Sequence, residues 1–378
     1  MGVSFYMDDT RIKELSEEIK AARLAYYNLN PILTDQAYDA LIDELKKLDP
    51  NHPEILAIGA PITQHTIWEK VKHIIPMGSL DKVKTSDEFR KWAEDAKVKN
   101  FLITHKIDGS SLEVVYRDGK LAMAVSRGDG TIGENITANA IQIPNLPKTI
   151  DIRIAGTDAK EVIIRGEVVM LKEVFQRLYA SEYANPRNTA AGKIRDKKNK
   201  GSDCANLTFI AYTIMCDGIP KTEFYRFILL KNLGFEVPVC QAGDIDSIIQ
   251  YHESVKANRD AVPYEIDGTV IRINDVETQE ALGDLNMRPR GQIAWKFDPY
   301  MGVSKIVNIK WQVGASNSGR ITPVAVIEPI NVGGVTITNI SLHNLGVFNE
   351  LKLKKGDKVL ISRRSDVIPY IEENLDSK

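Results

Sequence analysis

The stretch "FLITHKIDGSSLEVVYRDGKL", residues 101–121, decides the fold of the region around it. An apolar run of the kind found in buried strands ends on Lys106, Asp108 and Gly109 instead of on further hydrophobic residues. The run after it predicts a β-hairpin, because Asp118 and Gly119 supply a turn signal between two strand-forming segments. The stretch therefore predicts a buried strand that ends on a lysine, followed by a hairpin.

Lys106 is a candidate nucleophile. At the end of a buried strand, desolvation and nearby cations disfavour the ammonium form of lysine, and the neutral amine is the form that attacks. Asp108 lies two residues further on and faces the same side of an extended chain, while Gly109 lets the backbone turn closely around a ligand. The alternative is a structural one, in which an edge-strand lysine is simply followed by a turn.

Further charged residues occur in loops and strands downstream. The loop "RGDGTIGEN", residues 127–135, is suited to backbone contacts with a phosphate or a ribose, and "RGEV", "EIDGTVIRI" and "IAWKF" place charges in strands. Each of these could be a charge at a sheet edge. Together they predict a cationic pocket, framed by carboxylates, that holds and attacks a nucleoside phosphate. The candidate residues are Arg127, Asp129, Glu134, Glu167, Asp267, Arg272 and Lys296.

The pattern along the whole chain predicts a multidomain α+β protein. Helical periodicity covers the first ~75 residues, and strand candidates interleaved with helices follow. After about residue 303, short alternating strands separated by glycine turns suit a small β-barrel of the OB-fold type. We therefore expect a helical module at 1–75, a domain of antiparallel sheets with helices at 76–302 and an OB-fold domain at 303–378.

Composition and charge exclude several classes of protein. The 378 residues are 43% hydrophobic and 26% charged, an ordinary globular composition that is long enough for two or three domains. No apolar stretch reaches the ~18 residues that span a bilayer, and the charged first residues do not form a signal peptide. The three cysteines are too scattered for a disulfide framework or a zinc site, so we expect a cytoplasmic protein.

A net charge of −2 means that any binding of nucleic acid must use local patches. One candidate patch is "RNTAAGKIRDKKNK", residues 187–200, where six basic residues oppose a single acid, Asp196. The segment fits either a solvated loop or a nucleic-acid contact. Its basic residues are Arg187, Lys193, Arg195, Lys197, Lys198 and Lys200.

A helix near the N-terminus is predicted to begin at an N-cap on Thr34. Asp35, Tyr38 and Asp39 then share one face of its first turn. Taken alone, these acids are explained by favourable interaction with the positive end of the helix dipole.

The motifs together resemble the NAD-dependent DNA ligases of bacteria, members of the covalent nucleotidyltransferase superfamily. "KIDG" is similar to the family's adenylation motif, "SRGDGTIGENIT" to the arginine loop after it, "RGEV" to the third motif, and "IDGTVIRIN" and "AWKF" to the last two. "YANPRNTAAGKIR" resembles a distinctive arginine segment, "AYYNLNPILTDQAYDALIDEL" the N-terminal cofactor module, and "PMGSLDKV" the linker that follows. The resemblance covers nearly the whole chain.

The resemblance implies a reaction in three steps. Lys106 takes AMP from NAD and releases nicotinamide mononucleotide, AMP passes to the 5′-phosphate at a nick in duplex DNA, and the 3′-hydroxyl displaces it. Lys296 and Arg272 would neutralise phosphate charge, with Mg²⁺ as the metal and no zinc. Such an enzyme would serve DNA repair and replication, and we expect it to be a cytoplasmic monomer that does not bind membranes.

The same match assigns ligands by position. The N-terminal module would hold the nicotinamide half through aromatic faces and acids, the linker would lie beside the cofactor, and the later motifs would bind AMP or the nicked strand. The module's ligands are Tyr26, Tyr27, Asp35, Tyr38 and Asp39, and the linker's are Ser79 and Leu80. The remaining ligands are Thr104, Gly109, Arg127, Glu167, Arg187, Arg195, Arg259, Asp267, Arg272 and Lys296, and the catalytic set is Lys106, Asp108, Arg127, Arg272 and Lys296.

The sequence departs from the family pattern at several positions. Thr104 stands where the family has a glutamate that reads the adenine amino group. Arg272 stands where the family has a lysine near the reacting phosphate, so a planar guanidinium replaces a compact ammonium group. Ala315 stands where a DNA-contacting arginine of the OB domain lies, and Arg320 could compensate. The family continues into zinc-finger, helix-hairpin-helix and BRCT regions, whereas this sequence stops at Lys378 as either a fragment or a short ligase.

Two other functions remain open. A nucleotidyltransferase of the RNA ligase or capping type would use ATP or GTP. Thr104 is compatible with this function, but the N-terminal tyrosines and acids favour NAD. A nucleic-acid-binding relative that has lost turnover would not need Lys106, Asp108, Glu167 and Lys296, and all four are present.

Overall fold

The computed structural model describes residues 2–27, 33, 35–57, 68–155, 159–183, 185–196, 201–313, 321–333, 335–342, 345–364 and 368–377. The chain forms two compact units, which we describe separately. One consists of Arg23–Asn30 and Asn51–Phe297, and the other of Met1–Ala22, Pro31–Pro50 and Asp298–Lys378. No helix within the described ranges is long and apolar enough to cross a membrane.

Helices occur in both units. Their bounds are α1 (Gly2–Tyr27), α2 (Asp35–Leu48), α3 (Pro53–Leu56), α4 (Ser86–Ala96), α5 (Thr137–Ala140), α6 (Lys172–Leu178), α7 (Pro186–Arg195), α8 (Glu223–Asn232), α9 (Ile245–Ala257), α10 (Val276–Leu282) and α11 (Leu345–Leu351). Short 3₁₀ turns lie at Ile152–Ala155, Ser202–Asn206 and Arg259–Ala261.

Strands make up most of the remaining described structure. Their bounds in the larger unit are β1 (Lys70–Lys72), β2 (Asp81–Val83), β3 (Phe101–Ile107), β4 (Ser110–Arg117), β5 (Lys120–Ser126), β6 (Ile132–Glu134), β7 (Glu161–Val169), β8 (Thr208–Met215), β9 (Cys240–Gly243), β10 (Ile266–Ile273), β11 (Asp284–Leu285), β12 (Arg288–Pro289) and β13 (Gln292–Lys296). In the smaller unit they are β14 (Tyr300–Val313), β15 (Ile321–Val332), β16 (Val335–Ser341), β17 (Lys358–Arg364) and β18 (Ile368–Asn374).

Two large sheets build most of the larger unit, together with the two-stranded sheets β1–β6 and β11–β12. Sheet I has the strand order β2-β13-β10-β3-β9 and sheet II the order β5-β4-β7-β8. In the described part of the chain every strand ladder is antiparallel except the β2–β13 pair. Because antiparallel sheets combined with helices define the α+β class, the fold class predicted from the sequence is confirmed.

One face of sheet I is a hydrophobic core. Phe101 of β3 and Trp295 of β13 are buried there with Phe89 of α4. The imidazole of His252, on α9, stacks on the indole of Trp295 with ring centroids 3.9 Å apart. Since side chains alternate along a strand, the residues between these apolar ones project from the opposite face of sheet I.

Sheet II contains the hairpin predicted from residues 101–121. Strands β4 and β5 pair antiparallel with a register shift between Val115 and Tyr116, and the turn between them places Asp118 at φ 48° and Gly119 at φ 73°. Two successive positive φ angles are the backbone of a tight type I′ turn, which matches the twist of the flanking strands. Leu112 and Val114 of β4 join the main core of the unit on one side of the sheet.

The two N-terminal helices each bury apolar side chains. Leu15 and Ile19 of α1 and Leu45 of α2 are fully buried. The Arg11 guanidinium donates from Nε and Nη2 to the two carboxylate oxygens of Glu44, at 2.7 and 3.0 Å. Helix α2 begins at Asp35, where the sequence predicts it; the predicted N-cap, Thr34, lies outside the described residues.

The C-terminal strands form one strongly curved sheet with the order β16-β15-β14-β17-β18. The long strand β14 pairs with β17 through its first half and with β15 through its second half. Its concave side encloses a core that includes Ile306, Ala325 and Ile361. The predicted OB-fold domain is confirmed.

The basic segment at 187–200 is partly helical. Helix α7 carries it as far as Arg195, with Asn185 as the N-cap that accepts a hydrogen bond from the Asn188 amide and with Pro186 in the first turn. Asparagine at the cap and proline directly after it are typical of a helix start. A solvated loop is therefore the wrong description of this part, while residues 197–200 lie outside the described residues.

Candidate active site

Three neighbouring strands of sheet I bring two lysines together on the face opposite its core. Lys106 of β3 and Lys296 of β13 both pair with Gly268 of β10, from opposite sides. Residues that pair directly across antiparallel strands project to the same face. Glycine at the central position leaves no side chain between the two lysines.

Asp267 lies at an irregularity in the β3–β10 ladder. Ile266 pairs with Ile107 and Gly268 pairs with Lys106, so Asp267 is an extra residue without a partner in the β3–β10 register. Such a β-bulge turns a side chain away from the direction that strict alternation gives it. The bulge explains how an aspartate adjacent to Gly268 faces the lysine that pairs with that glycine.

Asp267 is the centre of a group that we call the lysine cluster, formed by Lys106, Lys296 and Asp267. Lys106 Nζ donates to both carboxylate oxygens of Asp267 at 2.7 Å, and Lys296 Nζ lies 3.9 Å from Oδ2. Burial alone would raise the pKa of Asp267, but the positive charges of the two lysines outweigh it and hold the pKa below its ordinary value. The cluster therefore presents an ionised carboxylate that fixes the lysine amine in place.

A second ion pair lies nearby, between Asp108 and Arg187. The guanidinium Nη1 of Arg187, in the first turn of α7, is 2.9 Å from Asp108 Oδ1. Burial lowers the pKa of Arg187 to about 10, partly offset by the negative charge of Asp267. The arginine thus stays cationic at neutral pH and links helix α7 to the turn after β3.

Gly109 brings this turn close to sheet II. A Cβ at this position would lie 2.5 Å from the carbonyl oxygen of Val168 and 2.9 Å from Cγ of Glu167, so only glycine fits without displacing β7. Ser111, opposite Glu167 in the β4–β7 ladder, donates from its hydroxyl to Glu167 Oε1 at 3.1 Å. Sequence reasoning missed Ser111, although its place two residues from the close-approach glycine and among apolar neighbours was a usable signal.

Glu167 is buried, with 8% of its surface exposed. Burial raises its pKa to about 7, against the lowering effects of the Ser111 hydrogen bond and of the charges on Arg127 and Lys106. Near neutral pH the carboxyl group is therefore divided between its acid and carboxylate forms. It can either donate to or accept from a sugar hydroxyl.

Arg127, after strand β5, reaches the segment that leads into β2. Its Nη2 donates to the carbonyl oxygen of Gly78 at 3.0 Å and to the hydroxyl of Ser79 at 2.9 Å. Leu80, the next residue, is half-buried directly before β2, which pairs with β13. The structure thus brings together Arg127 and the two linker residues predicted from the sequence.

Arg272 does not join the lysine cluster. It pairs with Leu102 and Gln292, four residues along β10 from Gly268 and therefore about 13 Å away along the strand. Its guanidinium is buried 3.9 Å from Glu223 and lies over the Phe227 ring at 5.4 Å. Burial lowers the pKa of Arg272, and Glu223 opposes this. The position does not support the expected contact with the reacting phosphate.

Thr104 lies between these two groups on the same face of sheet I. It pairs with Val270 on one side and with Cys240 on the other, and only 1% of its surface is exposed. Small and medium side chains therefore line the face between the lysine cluster and Arg272.

The other predicted arginines have local partners of their own. Arg195 Nε lies 3.7 Å from a carboxylate oxygen of Glu134, at the end of the glycine-rich loop. The Arg259 guanidinium lies over the ring of Phe297 at 5.9 Å, and its carbonyl oxygen accepts from Lys172 at 3.4 Å.

The predicted nicotinamide ligands are only partly described. Tyr38 and Asp39 are half-buried on α2. The side chains of Tyr26, Tyr27 and Asp35 lie outside the described residues, as do Ala315 and Arg320 of the C-terminal domain. Within the described ranges, no group of three or more His, Cys, Asp or Glu side chains is arranged to hold a metal ion.

A strand-end lysine held by a carboxylate and accompanied by a second lysine, on a two-sheet domain followed by a small barrel, is the architecture of a covalent nucleotidyltransferase. Three family descriptions match the chain: a DNA ligase-like N-terminal NAD⁺-binding domain at residues 7–65, an NAD-dependent DNA ligase adenylation domain at 65–300 and an NAD-dependent DNA ligase OB-fold domain at 303–378. The chain belongs to the NAD-dependent DNA ligase family.

Relatives show the same similarity. Proteins named DNA ligase from Sorangium cellulosum and Aquifex aeolicus are each 36% identical over 395 residues, covering 97% of this chain and 57% and 54% of their own lengths. The chain thus spans somewhat more than half the length of these curated relatives. A solved structure described as "Pmar-Lig_Pre." is 14% identical and covers 90% of this chain and 76% of its own, with a TM-score of 0.45.

Proposed function

We propose that this chain is an NAD-dependent DNA ligase that seals nicks between a 5′-phosphate and a 3′-hydroxyl in duplex DNA. The observation that carries the proposal is the Lys106 amine, held at 2.7 Å by both oxygens of Asp267 and accompanied by Lys296. A fixed amine next to a second cation suits attack on a phosphorus atom whose oxygens carry negative charge. The family assignment supports NAD as the source of the adenylyl group.

In the first step Lys106 Nζ would attack the adenylyl phosphorus of NAD. A nitrogen–phosphorus bond forms, the bond to the nicotinamide mononucleotide oxygen breaks, and that half leaves with the electron pair. The Lys106 ammonium must lose one proton before it attacks and a second as the nitrogen–phosphorus bond forms; the Asp267 carboxylate, which already faces these protons, would pass them on to water. Lys296 would compensate the charge that develops on the phosphate oxygens.

Two further transfers complete the reaction. An oxygen of the DNA 5′-phosphate attacks the adenylyl phosphorus, and the lysine amine leaves and takes up a proton. The 3′-hydroxyl then attacks the 5′-phosphorus, loses its proton, and AMP leaves. Both steps use the same positioning of phosphates by cations that supports the first step.

The remaining residues take supporting roles in this proposal. Glu167, with Ser111, would bind the ribose, and Gly109 would let the backbone approach the nucleotide. Arg127 and Ser79 would fix the segment beside the cofactor, with Leu80 next to them. Asp108 and Arg187 would hold α7 against the site, with Arg195 and Arg259 towards the nicked strand; Tyr26, Tyr27, Asp35, Tyr38 and Asp39 would bind the nicotinamide half.

Mg²⁺ fits this site only as an ion that is held mainly by the phosphates of the enzyme's substrate. Asp267 faces the two lysines and Asp108 faces Arg187, and the described residues hold no group of three or more His, Cys, Asp or Glu side chains arranged to bind a metal ion. Magnesium is commonly held by substrate phosphates together with one or two carboxylates and water. We therefore assign none of the steps above to a metal held by this chain alone.

The wider setting follows from the proposed activity. The protein would act in DNA replication and repair as a cytoplasmic monomer, with residues 1–75 as nicotinamide module, 76–302 as adenylation domain and 303–378 as OB-fold domain. An ATP- or GTP-using transferase is the second candidate, supported by Thr104 alone.

A donor comparison tests the proposal. The purified chain is incubated with Mg²⁺ and either NAD or ATP, and intact mass is used to detect an added AMP. Labelling from NAD but not ATP, followed by joining of a nicked duplex, is the expected result. Labelling from ATP alone would establish the second candidate. An absence of labelling from both donors would indicate a nucleic-acid-binding relative that has lost catalytic turnover.

A further inference from the structure

A buried ionic group lies beneath the contact between the linker segment His73–Ser79 and the glycine-rich loop 127–134. His73 Nδ1 is 3.0 Å from Glu113 Oε1, and Arg165 donates to Glu113 Oε2 from Nε at 2.9 Å and from Nη2 at 2.8 Å. His73 is 3% and Glu113 1% exposed. We call these three residues the linker triad. Sequence reasoning did not single out any of them as a functional group.

The two nitrogens of the His73 ring both face hydrogen-bond acceptors. Nε2 lies 3.1 Å from the carbonyl oxygen of Arg127, which can only accept, and Nδ1 faces the Glu113 carboxylate. Although burial raises the pKa of Glu113, hydrogen bonds from His73 and Arg165 and the charge of Arg165 bring it below its ordinary value, so the carboxyl is ionised. Both bonds can form together only when the imidazole carries two protons.

The charged surroundings of the ring come from three elements. Strand β4 contributes Glu113 in direct contact, β7 contributes Arg165 on the far side of that carboxylate, and the loop after β5 contributes the backbone carbonyl of Arg127. Loss of a ring proton would leave a lone pair facing either the carboxylate or the carbonyl, which is repulsive in a buried site.

The linker triad contacts the same linker segment, His73–Ser79, that the Arg127 side chain contacts. The Arg165 guanidinium donates to the carbonyl oxygens of Ile75 and Pro76, the latter at 3.1 Å. The amides of His73 and Met77 donate to Thr131 and Gly130 of the loop at 2.9 and 2.7 Å. The backbone of Arg127 is thereby tied to His73 and its guanidinium to Gly78 and Ser79. One proton on one ring completes this network.

We propose that His73, as an imidazolium, is a positioning residue that holds Arg127 and the linker segment in place for the nucleotide. The inference rests on the proposed function, because it assigns the benefit to NAD binding. Removal of the two ring hydrogen bonds by mutation loosens the loop and weakens NAD binding without touching the Lys106 amine.

The protonation of the ring is tested first, in the full chain and without substrate. Nitrogen-15 NMR of histidine-labelled protein reports the state of each ring nitrogen, and His73→Gln identifies the signal among the 6 histidines. The expected result is two protonated nitrogens at neutral pH in the wild type. A ring with one proton at that pH overturns the inference, whatever the enzyme does.

The functional arm measures AMP labelling of Lys106 as a function of NAD concentration and pH. At each pH where NMR shows both ring nitrogens of the wild type protonated, we expect His73→Gln to have a KM for NAD up to about 100-fold higher than the wild type, with the labelling rate at saturating NAD little changed. Glu161→Gln, which breaks the exposed Arg117–Glu161 pair between the same two strands, is the matched control and should behave like the wild type.

The outcomes separate the two hypotheses. A wild-type chain that is never labelled by NAD contradicts the proposed function, while the NMR result still decides the state of the ring. A labelled chain in which His73→Gln keeps the wild-type KM for NAD, or loses labelling rate at saturating NAD instead, overturns the positioning role. If His73→Gln does not fold, Glu113→Gln replaces it, with the same expected change in KM and loss of the second ring proton.

Discussion

The Lys106 amine lies 2.7 Å from both carboxylate oxygens of Asp267, because the bulge in β10 turns the Asp267 side chain towards the amine. This symmetric contact both orients the amine and offers an acceptor for its protons. Replacing Asp267 with asparagine keeps the shape and removes the charge. We expect the rate of Lys106 labelling by NAD to fall by about 100-fold, because the amine loses its proton acceptor.

Asp246→Asn is the matched control for that substitution, since it removes a carboxylate from the exposed Arg90–Asp246 pair of the same unit. Single-turnover labelling measured by intact mass separates the two variants. If Asp267→Asn is labelled as fast as Asp246→Asn, the carboxylate has no part in the first step.

Glu167 gives the stability of the chain a defined pH dependence. Its pKa is about 7 in the folded chain, where burial raises it above an ordinary value of 4.5. Below pH 4.5 the group is protonated in both states, and above pH 7 it is ionised in both, so the folded state then carries a buried charge. The stability that comes with the neutral form is present at low pH and is lost as pH rises between these values, by about 3 kcal/mol.

Glu167→Gln keeps a neutral side chain at every pH and therefore isolates this effect. We expect its free energy of unfolding to match the wild type below pH 4.5 and to exceed it progressively up to pH 7. Urea unfolding at a series of pH values measures the difference, with Glu161→Gln, exposed on the same strand, as the control. A constant difference across the whole range would show that Glu167 does not titrate there.

The sequence revealed the lysine cluster but not its geometry. Lys106 and Lys296 each end an apolar strand, which is visible as a local pattern, and antiparallel pairing puts them on one face. The direction in which the Asp267 side chain points depends on a β-bulge. The bulge shifts the alternation of side chains along β10, and the amino-acid composition of the strand gives no clear sign of it. Arg272 lies four residues from Gly268, about 13 Å along β10, so it is separated from the lysine cluster although both belong to one strand.

The linker triad was harder to predict still. His73, Glu113 and Arg165 are separated by 40 and 52 residues, and they meet only because β4 pairs with β7 and the linker crosses them. A glutamate between Leu112 and Val114 in a strand-forming stretch was the available signal, since a buried strand rarely carries an unpaired acid.

Arg272 is expected to act on stability more than on chemistry. Replacing it with methionine removes one of the two cations beside buried Glu223 and leaves Arg226 3.6 Å from that carboxylate, so the loss in the free energy of unfolding should be smaller than the about 3–5 kcal/mol expected for a buried charge left without any cation. Adding Glu223→Gln should recover much of the loss. Thermal unfolding of the single and double variants gives the comparison.

The control for Arg272 is Lys221→Met, which breaks the exposed Lys221–Glu277 pair and should cost no more than about 1 kcal/mol. Labelling of Lys106 should be reduced less by Arg272→Met than by Lys296→Met, once each variant is measured at a temperature where it is folded. The reverse order would place Arg272 at the reacting phosphate after all.

Replacing Asp35 tests whether the N-terminal module is needed only for the step that uses NAD. Asp35→Ala should suppress labelling from NAD while leaving the sealing of a pre-adenylated nick largely intact, because only the first step involves the nicotinamide half. Asp43→Ala, two turns further along α2, is the control. An equal loss in both assays would mean that the nicotinamide site lies elsewhere.

The most direct measurement of the central claim is the mass of the chain after incubation with NAD. The wild type and Lys120→Ala, an exposed lysine of the β4–β5 hairpin, should each gain one AMP, and peptide mapping should find it on Lys106. Lys106→Ala should gain none. An AMP adduct on the Lys106→Ala variant, or on a different residue of the wild type, would contradict the account.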